Sequence, residues 1–87
     1  MVSKKVVLHE EYGLHARPAM KVVQKCQNFS SKITICKGCK KADGCSIMEL
    51  LLLSADNGNE LEVIAEGSDE TSAATEIAYL FENGSGI

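Results

Sequence analysis

Ala16-Arg17-Pro18-Ala19-Met20-Lys21-Val22-Val23-Gln24-Lys25-Cys26-Gln27-Asn28 is the stretch that decides the fold. Its apolar residues Ala19, Val22, Val23 and Cys26 recur at i, i+3, i+4 and i+7, the spacing of one helix face. Pro18 falls in the first turn, where a missing N–H costs nothing. The spacing therefore predicts a helix over 16–28. A helix with one apolar stripe has to lay that stripe on another element. On the N-terminal side, Val6 and Leu8 alternate with Lys5, Val7 and His9, which reads as a strand closed by Gly13. On the C-terminal side, Ile33 and Ile35 alternate with Lys32 and Thr34 as a second strand. Lys37-Gly38 turns the chain, and Lys40 to Asp43 returns as a short third strand.

Further along, Ser46-Ile47-Met48-Glu49 matches a capping box, so Ser46 opens a short helix. Asp56-Asn57-Gly58-Asn59 is rich in turn residues. Leu61, Val63 and Ala65 alternate with Glu60, Glu62 and Glu66 as a fourth strand. Gly67-Ser68-Asp69-Glu70 supplies a cap and two acids for a last helix. Ala73, Ile77, Leu80 and Phe81 are its expected buried face, and Asn83-Gly84 its end. The order is βαββαβα. The expected architecture is α+β: an open-faced β-sandwich, a four-stranded antiparallel sheet covered on one side by three helices. At 87 residues the chain fits one domain, 1–87. A domain of that size buries only somewhat over ~60% of its unfolded surface, which leaves little room for a deep substrate cavity.

The start of the chain does not resemble a signal peptide, and the longest apolar run, Leu50 to Leu53, is far below the ~20 residues of a membrane span. A soluble cytoplasmic monomer without membrane or nucleic-acid partners is the expectation. The formal net charge is −3, yet all 9 Lys and Arg lie between Lys4 and Lys41, which hints at a basic face in the N-terminal half. The cysteines are Cys26, Cys36, Cys39 and Cys45. Cys36-x-x-Cys39 has zinc-knuckle spacing, but no second pair follows, and Cys26 and Cys45 could complete a site only by accident of the fold. No metal or cofactor is expected.

The chemistry concentrates at Gly13-Leu14-His15-Ala16-Arg17-Pro18. His15 falls at or beside the start of the first helix. The first N–H groups of a helix have no internal partners, and the macrodipole adds roughly half a positive charge there. An anion at that end is stabilised by the backbone of Ala16 and Arg17. An imidazole there tends to remain neutral and nucleophilic. Arg17 carries a guanidinium whose fork matches phosphoryl oxygens. These residues form a seat for a phosphoryl group on His15. His9, in a strand without anion-binding context, reads as structural. Arg17, Lys21 and Lys25 make a cationic row opposite the apolar stripe, suited to steering acidic partners. Met20 lies off the stripe as an exposed apolar contact. Ile47, Met48, Leu50, Leu51, Leu52 and Leu53 cannot all face one core on so short a helix, so part of that cluster is expected at the surface.

The ordered hexapeptide 13–18 resembles the active-site signature of the HPr family, the histidine-containing phosphocarriers of the sugar phosphotransferase system. Ser46-Ile47-Met48 resembles the family's second signature at the expected separation. Gly58 with Glu60, and Gly67 with Asp69, also match. The resemblance implies a carrier rather than an enzyme. His15 would take phosphate on Nδ1 from phospho-enzyme I and pass it to enzyme IIA domains, with Arg17 steadying the group. Ile47, Met48 and Leu51 would be partner contacts beside His15. Ser46 would be the site of regulatory phosphorylation by an HPr kinase/phosphorylase. Cys45, Glu49 and Tyr12 depart from the family pattern, and the first two make the surroundings of Ser46 less positive. A paralogous carrier in a nitrogen-related phosphorelay is the alternative implied.

Overall fold

A computed structural model of the chain describes residues 1–9, 14 and 16–83. Four strands and three helices follow in the order β1 (Val2–Val7), α1 (Ala16–Cys26), β2 (Lys32–Lys37), β3 (Lys40–Asp43), α2 (Ile47–Leu52), β4 (Glu60–Glu66) and α3 (Glu70–Glu82). The strands form one antiparallel sheet in the order β1-β4-β2-β3. This is the expected α+β architecture, with the second half of the chain inserting β4 between β1 and β2.

The period-2 alternation explains which face is covered. Val6, Ile33, Ile35, Ala42, Leu61, Val63 and Ala65 are buried, and in β4 the intervening residues are exposed or half-buried. Register places Val6 opposite Leu61, Ile35 opposite Val63 and Ile33 opposite Ala65, so the core-facing side chains form continuous rows across strands. The helices lay their apolar stripes on these rows. α1 contributes Pro18, Ala19, Val22, Val23 and Cys26, as the spacing predicts. α3 contributes Ala73, Ala74, Ile77, Ala78 and Phe81. Leu80, expected on that face, is only half-buried, and the small residues Ala74 and Ala78 take the contact instead. Small side chains let the helix approach the sheet closely.

Two boundaries shift for local reasons. α1 ends at Cys26, two residues early, because Asn28 and Phe29 turn back to the Lys25 and Cys26 carbonyls at 3.0 and 3.2 Å. β1 ends at Val7. Leu8 nevertheless stays fully buried, with its N–H on the Asn59 carbonyl at 2.9 Å and its own carbonyl on the Gly58 N–H at 2.8 Å. His9 therefore lies beyond the strand, exposed, with its backbone N–H donated to the Phe81 carbonyl at 2.9 Å. The charge asymmetry between chain halves is partly cancelled by pairing. Lys5 stands opposite Glu62, and Lys32 opposite Glu66, on the outer face of the sheet.

Candidate functional site

His15 lies outside the described residues, as do Tyr12 and Gly13; its chain neighbours are placed. Leu14 is buried, and its N–H donates to the Ala55 carbonyl at 2.8 Å. Ala16 and Arg17 are exposed at the first turn of α1, and Pro18 is fully buried. The two apolar anchors, Leu14 and Pro18, thus bracket residues 15–17. Their burial fixes the chain on both sides, while the guanidinium of Arg17 stays in solvent. An α-helix that opens at Ala16 leaves its first amides without intrahelical acceptors.

The Leu14–Ala55 bond also sets the relation of the two helices that flank this segment. It joins the start of α1 to the chain just past α2. At the opposite end, Cys26 closes α1 against Gly44, just before α2. α1 and α2 therefore run antiparallel. On α1, Met20 is 49% exposed and Lys21 is exposed. Lys25 is half-buried and its Nζ lies 2.8 Å from Glu76 Oε1 of α3. The cationic row therefore reaches solvent freely at Arg17 and Lys21, and its last member is bound within the molecule.

α2 divides its apolar residues as its length demands. Leu50 and the following Leu53 are buried, three positions apart. Met48 at 70%, Leu52 at 71% and Leu51 at 36% are exposed, and Ile47 is half-buried against the core. The structure thus places Met20, Met48 and Leu51 at the surface as expected, and keeps Ile47 mostly inside. Leu52, absent from the expected contact set, is more exposed than Leu51. Its position one residue before buried Leu53 is the signal that could have found it. Lys37 was also missed: its Nζ lies 2.9 Å from the Ser54 carbonyl and 3.4 Å from that of Leu53, a cation at the negative end of α2.

Ser46 is the N-cap of α2, and its Oγ accepts from the Glu49 N–H at 3.3 Å. The reciprocal half of the capping box is different. The Ser46 N–H goes to the Asp43 carbonyl at 3.0 Å, so Glu49 Oε1 accepts instead from the Asp43 N–H at 3.0 Å. Asp43 Oδ1 accepts from the Cys45 N–H at 2.9 Å. Two carboxylates therefore surround the cap, which makes it less hospitable to added negative charge.

No group of three or more His, Cys, Asp or Glu converges on a possible metal position among the described residues. Cys36 is buried and Cys39 exposed. A hollow of about 560 Å³ among the described residues is lined by residues including Thr34, Asp43, Glu49, Ile64 and Glu66, and not by Leu14, Ala16 or Arg17. No helix among the described residues is long and apolar enough to cross a membrane. Ala16, Arg17, Met20 and Lys21 lie at the surface over the buried anchors Leu14 and Pro18, an arrangement that suits contact with another macromolecule better than enclosure of a small substrate.

Comparison with known proteins gives the same direction. Residues 2–83 match the family described as PTS HPr component phosphorylation site. The chain is 41% identical over 83 residues to the phosphocarrier protein HPr of Borreliella burgdorferi, covering 95% of this chain and 96% of that one. It superposes on the crystal structure of an HPr from Thermoanaerobacter tengcongensis with a TM-score of 0.89 at 38% identity, covering 94% and 92% of the two chains. A crystal structure of an HPr dimer from the same organism matches with a TM-score of 0.73 at 38% identity, covering 94% of each chain.

Proposed function

The chain belongs to the HPr family of phosphotransferase-system phosphocarriers, which are carriers and not enzymes, and from that membership we propose that His15 is its phosphoryl acceptor. Phospho-enzyme I donates, His15 Nδ1 accepts, and the group passes on to enzyme IIA domains in sugar uptake. One observation carries the reading: α1 opens at Ala16, directly after His15 in the chain, with Arg17 exposed in the same turn. The amides of Ala16 and Arg17 then offer donors to the phosphoryl oxygens, and the guanidinium adds a charge-assisted pair. A carrier must hold its group through diffusion and still release it. A helix end with one arginine in solvent stabilises the anion moderately, whereas a closed pocket would retain it.

The exposed Met20, Lys21, Met48 and Leu51 support a docking surface on α1 and α2, with Ile47 and Lys25 at its margins. Enzyme I and enzyme IIA domains are its proposed partners. Ser46 is the proposed regulatory position. A phosphate added there by an HPr kinase/phosphorylase would sit beside Asp43 and Glu49 and repel an acidic donor. The proposed location is the cytoplasm. A monomer is supported by β1 pairing with β4 of its own chain from Val2 to Val7.

The test mixes the protein with enzyme I and phosphoenolpyruvate. The expected product is an acid-labile adduct on His15, lost in His15→Ala. Arg17→Ala should slow transfer at least tenfold and leave the thermal melt unchanged, since the side chain is exposed. An adduct that maps to His9 or to a cysteine overturns the assignment. Preferential charging by a nitrogen-branch donor would move the chain to the nitrogen-related relay.

A further inference from the structure

Cys26 and Cys45 have no place in the phosphoryl-carrier reading, and the fold brings them together. Cys26 is the last residue of α1 and is 1% exposed. Gly44 lies directly on its sulfur: a Cβ at position 44 would stand 2.8 Å from Cys26 Sγ and 2.9 Å from Ile33 Cγ2. The absence of a side chain there is what lets the chain before α2 close over the thiol. Cys45 follows Gly44 directly in the chain and is exposed, and its thiol is near enough to that of Cys26 for each to shift the other's titration. Its backbone is fixed by its N–H on Asp43 Oδ1, and the neighbouring Gly44 N–H donates to the Ile33 carbonyl at 2.8 Å.

We propose that Cys26 and Cys45 form a redox-sensitive pair that closes to an intramolecular disulfide on encounter with a low-molecular-weight disulfide. The exchange proceeds in two steps. The Cys45 thiolate attacks one sulfur of the small disulfide, an S–S bond breaks, and one small thiolate leaves and takes up a proton. Cys26 then loses its proton and attacks Cys45 Sγ, expelling the second small thiol. The two protein thiols are oxidised by two electrons, and the small disulfide is reduced to two thiols. Solvent reaches only Cys45, so the order of attack is fixed by burial.

The bridge staples the C-terminal end of α1 to the residue preceding the α2 cap. The Leu14–Ala55 backbone bond already joins the other ends of the same two helices. Oxidation therefore locks the α1–α2 face at both ends. The remaining thiols are not arranged this way: β2–β3 register puts Cys36 opposite Lys41, with Cys39 in the turn between Lys37 and Lys40. Burial first, then the charges of Cys45 and Asp43, push the Cys26 thiol up to about 12, and burial followed by Asp43 raises Cys45. Exchange proceeds through thiolates, so both shifts slow it. Closure is thus a response to sustained oxidation, in keeping with the sensing use of disulfides in reducing compartments.

The experiment incubates the folded, reduced chain with oxidised glutathione, quenches with acid, and maps disulfides by mass spectrometry. The expected product is a monomer lighter by two hydrogen atoms with peptides 26 and 45 joined. Its melting temperature should rise by about 10 °C over the reduced form and fall back on reduction. Cys45→Ser, at an exposed position, should melt like the reduced chain and show no glutathione-induced rise. A lasting glutathione adduct on Cys45, a Cys36–Cys39 bridge, or a disulfide-linked dimer as the main product overturns the proposal.

Discussion

α2 and α3 both begin with the residues that helix starts favour, yet the two starts use them differently. Ser46 caps its own helix, accepting the Glu49 N–H. Asp69, in the corresponding place before α3, makes no side-chain cap bond. Its carboxylate instead accepts from the Ser30 N–H at 2.8 Å, the Ser31 N–H at 2.9 Å and the Ser31 hydroxyl. The α3 start is served by Glu70, whose Oε1 accepts from the Gly67 N–H at 3.2 Å. One signature thus yields a local cap at α2 and a long-range clamp at α3. The clamp holds the α1–β2 connection to the β4–α3 connection, across 38 residues of chain. The cap at α2 stays on the surface where partners are proposed to dock.

The comparison breaks most severely at Gly67. Its φ is +153°, and a Cβ there would lie 2.7 Å from Ser31 Cα and 2.7 Å from Ser31 Oγ. Backbone has to move, so the clamp itself opens. Gly67→Ala should cost about 3 kcal/mol, from strain and overpacking together. Urea denaturation measures the loss, and a melt within experimental error of the native chain would show that the contact gives way freely.

Asp69 tests the clamp through pH. The Ser31 hydroxyl first, then the Ser30 N–H, hold its carboxyl below the usual carboxylate range. A lowered native value means that the unfolded chain takes up the proton first as pH falls. The stabilisation is fully present above the unfolded value near 4 and is lost as pH drops through the native one. Asp69→Asn should be less stable than the native chain at pH 7, and the gap should narrow steadily on acidification below pH 4. Glu70 is lowered as well, first by the N-terminal ammonium. The difference between the two proteins, rather than either curve alone, isolates Asp69.

At α2 the expected effect is smaller. Ser46→Ala removes one cap bond at a half-buried residue and should cost about 1 kcal/mol. Ser46→Asp restores a cap acceptor and should recover most of that loss. If the docking surface is as proposed, the same variant slows charging by enzyme I while remaining folded. Ser46→Asp that charges at the native rate would confine the residue to capping.

How much of this was legible follows from the range of each interaction. The strands and helices rest on alternation and on the i, i+3, i+4 stripe, both of which are local, and they appear where the pattern puts them. The Ser46 cap spans three residues and was equally visible. The Asp69 clamp, the Lys37 contacts with the carbonyls past α2, and the meeting of Cys26 with Cys45 join segments that only the sheet order brings together. No spacing rule signals them. Leu80 was misassigned because periodicity weighs hydrophobicity, whereas α3 packs on the sheet through alanines. Of the phosphoryl seat, the start of α1 and the exposure of Arg17 follow from the local pattern, and the Leu14–Ala55 bond does not.

Glu49 carries the smallest and most discriminating effect. Its carboxylate accepts the Asp43 N–H at an exposed site, so water replaces it readily when it is removed. Alanine also has the better helix propensity, which offsets the lost bond and the lost acid in the first turn. Glu49→Ala should therefore change stability by no more than about 0.5 kcal/mol. Its consequence for Ser46 is electrostatic. Removing one of the two neighbouring carboxylates makes the cap a better seat for phosphate, so an HPr kinase should phosphorylate the variant faster than the native chain at low salt. High salt should shrink the difference, because an exposed charge is screened over about 10 Å at 0.1 M. Equal rates at both ionic strengths would leave Glu49 as the surface latch on Asp43 and nothing more.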